Sequence, residues 1–273
     1  MVLSAVEKLY SEDLLLIKGQ LPPESRRLLI DTDRMADSIV TSTLAANGLG
    51  SSAPKVPYAV DPMEPTDKSI TNGYTNGATI GINPYIIPQN NLFNRYMKKL
   101  SEAKSPFARY VYGKLQKPVY NLLKTIVHEK MHIATQMRER RRSDGSRTNF
   151  LNDLYEAATE YFEERLPKGL KPLSRYLAGK VFVPMAEGLN EGMTYEAMGF
   201  KNTREIKASA SKEPTSYAAS TVTAADSVEG TGETSFGNFY KKYFRDGYRK
   251  AKEITNIFLG KYFGSHQMQT AFA

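Results

Sequence analysis

Two of the three histidines in this 273-residue chain stand four positions apart, at His128 and His132, and Glu129 directly follows the first. The pattern is H-E-x-x-H. On a helix, residues i and i+4 lie one above the other on the same face, so two imidazoles at this spacing can hold one metal ion. Zinc favours such nitrogen ligands, and the carboxylate of Glu129 is suited to take a proton from water beside the ion. The plain alternative is a pair of structural histidines with no metal. The chain has no cysteine, which excludes disulfides, thiolate nucleophiles and sulfur-ligated zinc. Any metal must be held by His, Asp, Glu or main-chain oxygen.

A zinc site that keeps an open position needs a third protein ligand. With no further histidine nearby, the candidate is a glutamate on a second helix, and two segments offer one. Glu156 lies 24 residues after His132, in L-Y-E-A-A-T-E, and Glu191 lies 59 after it, in L-N-E-G-M-T-Y-E. Both have a plainer reading as solvated helix sides. Glu156 shares a face with Asp153, Glu160 and Glu163, and Glu191 stands four residues from Glu187.

The element that must carry the histidines is a helix over residues 118–137. Pro118 suits its first turn, and Leu122, Leu123, Ile126, Val127, Met131 and Ala134 form an apolar flank. Thr125, His128 and His132 share a different face, which would line a cleft. Around this helix, residues 1–45 read as mostly helical, broken at Pro22-Pro23, and 47–77 as loop. Residues 78–83 read as a short strand ended by Pro84. Helices are predicted at 91–103, 150–166 and 184–198, and a final one at 236–263. The Ala-, Ser-, Thr- and Gly-rich stretch 208–235 reads as a flexible loop or flap. The expected class is α+β, predominantly helical, with a small sheet.

H-E-x-x-H with a downstream glutamate resembles the gluzincin metallopeptidases. That resemblance implies a zincin-like fold, Zn²⁺ as cofactor, His128 and His132 as ligands and Glu129 as the catalytic base. It covers residues 79–196 and the last helix, and it divides the chain into an N-terminal segment, 1–60, and a metallopeptidase domain, 61–273. In the family the ligating glutamate is commonly followed by a small residue, by Ser or Thr at +3, and by a carboxylate at +4. Glu156 has Ala157, Thr159 and Glu160 at those places. The resemblance thus implies Glu156 as third ligand, with Glu160 accepting a ligating histidine's N–H. Glu191 is the alternative: L-N-E-G is similar to the aminopeptidase branch, with Tyr195 at +4. The stretch from Thr79 to Pro84 is similar to the family's edge strand, which pairs with substrate main chain; a buried interior strand is the other reading. Tyr243 or Tyr248 on the last helix would be the oxyanion donor, with His266 a further candidate.

The composition, 41% hydrophobic and 24% charged, is that of a globular protein. No apolar run is long enough for a membrane span. Glu7, Glu12 and Asp13 argue against a secretory signal, so the expected location is cytoplasmic. The substrate class implied by the resemblance is a peptide or protein. A net charge of +8 raises nucleic acid as a partner, and an acidic peptide would suit it equally. Basic residues read as spread along the chain, apart from Arg138, Arg140, Arg141 and Arg142, and Lys241, Lys242 and Arg245. The first cluster follows the motif helix, where exposed carbonyls favour cations. A non-catalytic zincin-like binding protein and a basic nucleic-acid-binding protein are the rival readings.

Overall fold

The computed structural model describes residues 17–18, 21–63, 71–213 and 216–265. It is α+β and mostly helical. Contacts divide the chain into two compact units, Met1–Ser42 with Ser52–Ile133, and Thr43–Ser51 with Ala134–Ala273. The helix expected in the first 16 residues and the proposed role of His266 lie outside the described residues. Among the described residues, no helix is long and apolar enough to cross a membrane.

In the first unit, a four-stranded sheet has the order β1-β2-β4-β3, with β1 at Ile17–Lys18, β2 at Tyr58–Val60, β3 at Gly73–Thr75 and β4 at Ile80–Ile82. β1, β2 and β4 are parallel, and β3 is antiparallel to β4. Ile17 therefore lies in a strand, paired with Tyr58, where a helix was expected. The predicted loop at 47–77 contains β2 and β3, whose three residues are too few for an alternating pattern to show. Helix α1, Pro23–Ala46, buries Leu29, Ile30, Ala36 and Val40. Helices α2, Asn91–Glu102, and α3, Pro106–Leu115, pack on each other. The side chains of Asn90 and Ser105 cap their N-termini. Helix α4, Pro118–Met131, carries the motif and packs on β3, β4 and α3.

One buried ion-pair network ties α4 to α1. Lys130 is 1% exposed, lies 2.6 Å from Asp33 and also pairs with Asp37. The Tyr58 hydroxyl donates to Asp33 at 2.6 Å, which adds β2 to the network. Burial, then Asp33, pushes that hydroxyl well above a tyrosine's usual range; the charge of Glu129 adds to the rise.

The second unit opens with a two-stranded ribbon, β5 at Arg140–Arg141 and β6 at Arg147–Thr148. Six helices follow: α5, Phe150–Arg165; α6, Ser174–Ala197; α7, Thr203–Ala210; α8, Ser216–Gly230; α9, Phe236–Asp246; and α10, Tyr248–Ser265. The described part of the predicted flap is thus mostly helical, in α7 and α8. Its small residues serve close packing: a Cβ on Gly188 of α6 would stand 2.4 Å from the Ser220 carbonyl oxygen of α8. Helix α6 begins ten residues before Pro184 and runs through it, although proline was read as a helix start. The single helix predicted at the C-terminus is two helices. Gly247 separates them at φ +62°, in the left-handed region that glycine tolerates best.

Three of the four arginines after the motif helix, Arg138, Arg140 and Arg142, have structural partners. Asp153 of α5 is fully buried, 2.5 Å from the Arg140 Nη2 and 2.9 Å from the Arg142 Nη2. It also accepts from Thr148 at 3.1 Å and from the Tyr243 hydroxyl at 2.7 Å. Arg138 donates to the Leu49 carbonyl and lies over the Phe244 ring. Burial raises the Asp153 carboxyl, but the hydrogen bonds from Tyr243, Arg140 and Arg142 outweigh it and hold it below the usual carboxylate value. A depressed carboxyl contributes stability above its unfolded pKa, about 3.9, and loses that contribution as pH falls through the lower native value. Urea denaturation between neutral pH and pH 3 should show Asp153→Asn with a flatter acid slope than wild type, by up to about 1.4 kcal/mol per pH unit. An unchanged slope would remove Asp153 as a source of acid sensitivity.

Candidate metal centre

Helix α4 presents the motif as its sequence requires. Pro118 occupies its first turn, and Leu122, Ile126, Val127 and Met131 are fully buried. His128 is half-buried and His132 buried, with ring centroids 4.8 Å apart and planes at 81°. At Met131 the α-helical pattern ends, and His132–Gln136 forms a π-helical turn. Such turns occur often at functional sites, because the widened backbone changes where side chains point. The end of this turn is fixed: Gln136 donates to the Ala186 carbonyl at 2.8 Å and to the Tyr240 hydroxyl at 2.9 Å. Ala186 directly precedes Glu187 on α6.

Glu187 is the carboxylate grouped with the histidines. One nitrogen from each of His128 and His132 and one oxygen of Glu187 all lie within 4.8 Å of one another. Metal–ligand bonds of roughly 2.0–2.2 Å place tetrahedral ligand atoms about 3.5 Å apart, a distance that small side-chain rotations reach. Two imidazoles and a carboxylate are a donor set that suits zinc.

No family model, curated protein or solved structure matches this chain. The reading of the centre rests on its own residues.

Those residues depart from the expected set. Glu156 on α5 is half exposed and paired with Arg142, and it is not in the group. Glu160 takes an ion pair from Lys252 at 2.9 Å. Burial raises the Glu160 carboxyl, and the hydrogen bonds from Lys252 and Tyr248 outweigh it and hold it down. Glu191 lies one turn beyond Glu187 on α6, half-buried and outside the group. The Tyr243 hydroxyl is committed to Asp153 and accepts from Arg140 at 2.9 Å. Tyr248 begins α10 beside Glu160, and burial followed by that carboxylate drives its hydroxyl far up.

The strand next to the motif helix takes the second of its two readings, a buried interior strand. β4, compared above with an edge strand, is buried throughout and flanked by β2 and β3. Among the described residues the sheet ends at β3. The Ile82 carbonyl accepts from Asp61 and the Asn83 N–H donates to Asn72, so Gly73, opposite Ile82, points its own peptide groups away from β4. A Cβ on Gly73 would lie 3.4 Å from the Glu129 Oε1, which shows how closely this backbone approaches the carboxylate. Glu129 itself is 5% exposed.

Proposed function

We propose that this protein is a zinc-dependent metallopeptidase of the gluzincin type. His128, His132 and Glu187 would hold the ion, and Glu129 would act as general base. The grouping of the H-E-x-x-H histidines with one helix-borne glutamate carries the reading. Glu187 also matches two of the three positions of the family pattern given above: Gly188 is small and Glu191 supplies a carboxylate at +4, while Asn190 stands at +3 in place of Ser or Thr. Glu191 then becomes a support for the centre rather than a ligand.

When bound, zinc would lower the pKa of a coordinated water toward neutrality and polarise the scissile carbonyl. Glu129 would take the proton from the attacking water and return it to the leaving amine. Its burial keeps bulk water from competing for the proton that the carboxylate accepts. The edge of β3 at Gly73 and Thr75, unpaired among the described residues, would offer main-chain groups to an extended peptide beside that carboxylate, a sequence-tolerant mode of binding.

Metal analysis of purified protein tests the assignment. Wild type and Glu156→Ala are expected to hold about one zinc per chain, and Glu187→Ala to hold none. Glu191→Ala should bind zinc with affinity lowered about 10–100-fold. Stoichiometric zinc in Glu187→Ala, or none in wild type after reloading, would overturn the reading.

A further inference from the structure

The positive charge of this chain is concentrated in one segment. Residues 91–124 hold eight Lys and Arg against one acid, Glu102, a net +7 within a total of +8. Basic residues do occur along the whole chain, 29 of the 37 outside this segment, but there 28 acids nearly balance them. The segment comprises α2, α3 and the first half of α4, all in the first unit. Arg109, Lys114, Lys117 and Lys124 line a cavity of about 440 Å³ together with Tyr110 and Tyr120, and no Asp or Glu lines it. The Lys114 ammonium lies 4.8 Å from the centre of the Tyr110 ring. A concave site walled by four cations and two phenol rings fits an anionic ligand.

The position of the cavity on α4 indicates which anion. Tyr120, Lys124, His128 and His132 follow one another at four-residue steps, so they form one slanting stripe that turns about 40° around the helix at each step. Exposure falls along the stripe, from 50% at Tyr120 to 7% at His132. The cavity thus lies at the outer end of a stripe whose inner end is the histidine pair. At 1.5 Å per residue, Lys124 is about 6 Å and Lys117 about 16 Å from His128 along the helix axis. An extended peptide advances about 3.3 Å per residue. A chain lying along α4 with its reacting bond at the histidines would bring side chains about two to five residues away over the cavity.

We propose that this cavity is a specificity subsite that selects peptide substrates carrying Glu or Asp about two to five residues to one side of the cleaved bond. The proposal rests on the metallopeptidase reading. A nucleic acid would use the same charges, but it would have no need of their alignment with the histidine stripe.

The test uses two fluorescein-labelled peptides of equal length, one with a run of three glutamates beside a central apolar pair and one with glutamines in their place. Binding is read by anisotropy on the full chain carrying Glu129→Gln, and hydrolysis is read on the otherwise unchanged chain. The glutamate peptide is expected to bind and to be cleaved at least about tenfold better at low salt, and the advantage should shrink as salt rises. Lys117→Gln with Lys124→Gln should abolish the preference, whereas Lys212→Gln, an exposed lysine of the second unit, should leave it. Equal handling of the two peptides, with hydrolysis present, overturns the subsite and spares the peptidase reading. Preferential binding with no hydrolysis of either peptide overturns the peptidase reading, and the substrate role with it. A labelled oligothymidylate that binds more tightly than the glutamate peptide, and is lost in the same double variant, makes the cavity a nucleic-acid site and overturns the proposal.

Discussion

Glu129→Gln is expected to keep zinc and to lower peptide hydrolysis by about 10²–10⁴-fold. Glutamine nearly matches glutamate in size, so the buried site can accept it without repacking. Its amide cannot take a proton. The loss should fall on kcat with KM little changed, because the proton transfer belongs to the transition state and not to peptide binding. Steady-state kinetics beside metal analysis separates the two effects. Hydrolysis within tenfold of wild type, at full zinc content, would remove Glu129 from the mechanism.

The motif helix was legible because its apolar flank and its histidines obey one period. Pro118 and the run from Leu122 to Met131 define the helix, and the histidine spacing requires both side chains on one face. The proposed third ligand was harder to read. Glu187 was visible only as the i,i+4 neighbour of Glu191, and a pair of glutamates on a helix is most simply a wet face. The signal that marks it is E-G-x-N-E, a glutamate with glycine at +1 and a carboxylate at +4. Asn190 at +3, where the family has Ser or Thr, disguised it. Pro184, three residues upstream, suggested a helix start and hid the ten residues of α6 before it.

Other misreadings share a cause: composition reports what a residue can do, and packing decides what it does. The Ala, Ser and Thr of α8 look like a flexible stretch, but their small size lets that helix approach α6 to backbone contact at Gly188 and Ser220. Arg140 and Arg142, by contrast, keep the structural role read for them after the motif helix, because the buried Asp153 holds both. The cations that surround a cavity, at Arg109, Lys114, Lys117 and Lys124, never occur as a run. Their spacing of three to seven residues reads as ordinary helix surface until α3 and α4 bring them together.

Lys130→Met should destabilise the protein by about 3–5 kcal/mol. Lys130 and Met131 are the two unspecified positions of H-E-x-x-H, and both are buried. The ammonium of Lys130 sits between Asp33 and Asp37. Methionine fills the space but leaves two carboxylates side by side, with Lys55 on Asp37 as an exposed counter-ion, 73% accessible, that water and salt screen. Desolvated charges without compensation are costly, whereas neutral replacements of the whole group are often tolerated. Lys130→Met combined with Asp33→Asn and Asp37→Asn should therefore recover most of the loss. Urea denaturation of the three proteins measures this directly. Zinc affinity should fall in the single variant, where the uncompensated carboxylates loosen α4 from α1 beside Glu129 and His132, and return in the triple one, where no buried charge is left unpaired. A single variant as stable as wild type, or a triple variant no better than the single, would show that the network does not hold the motif helix in place.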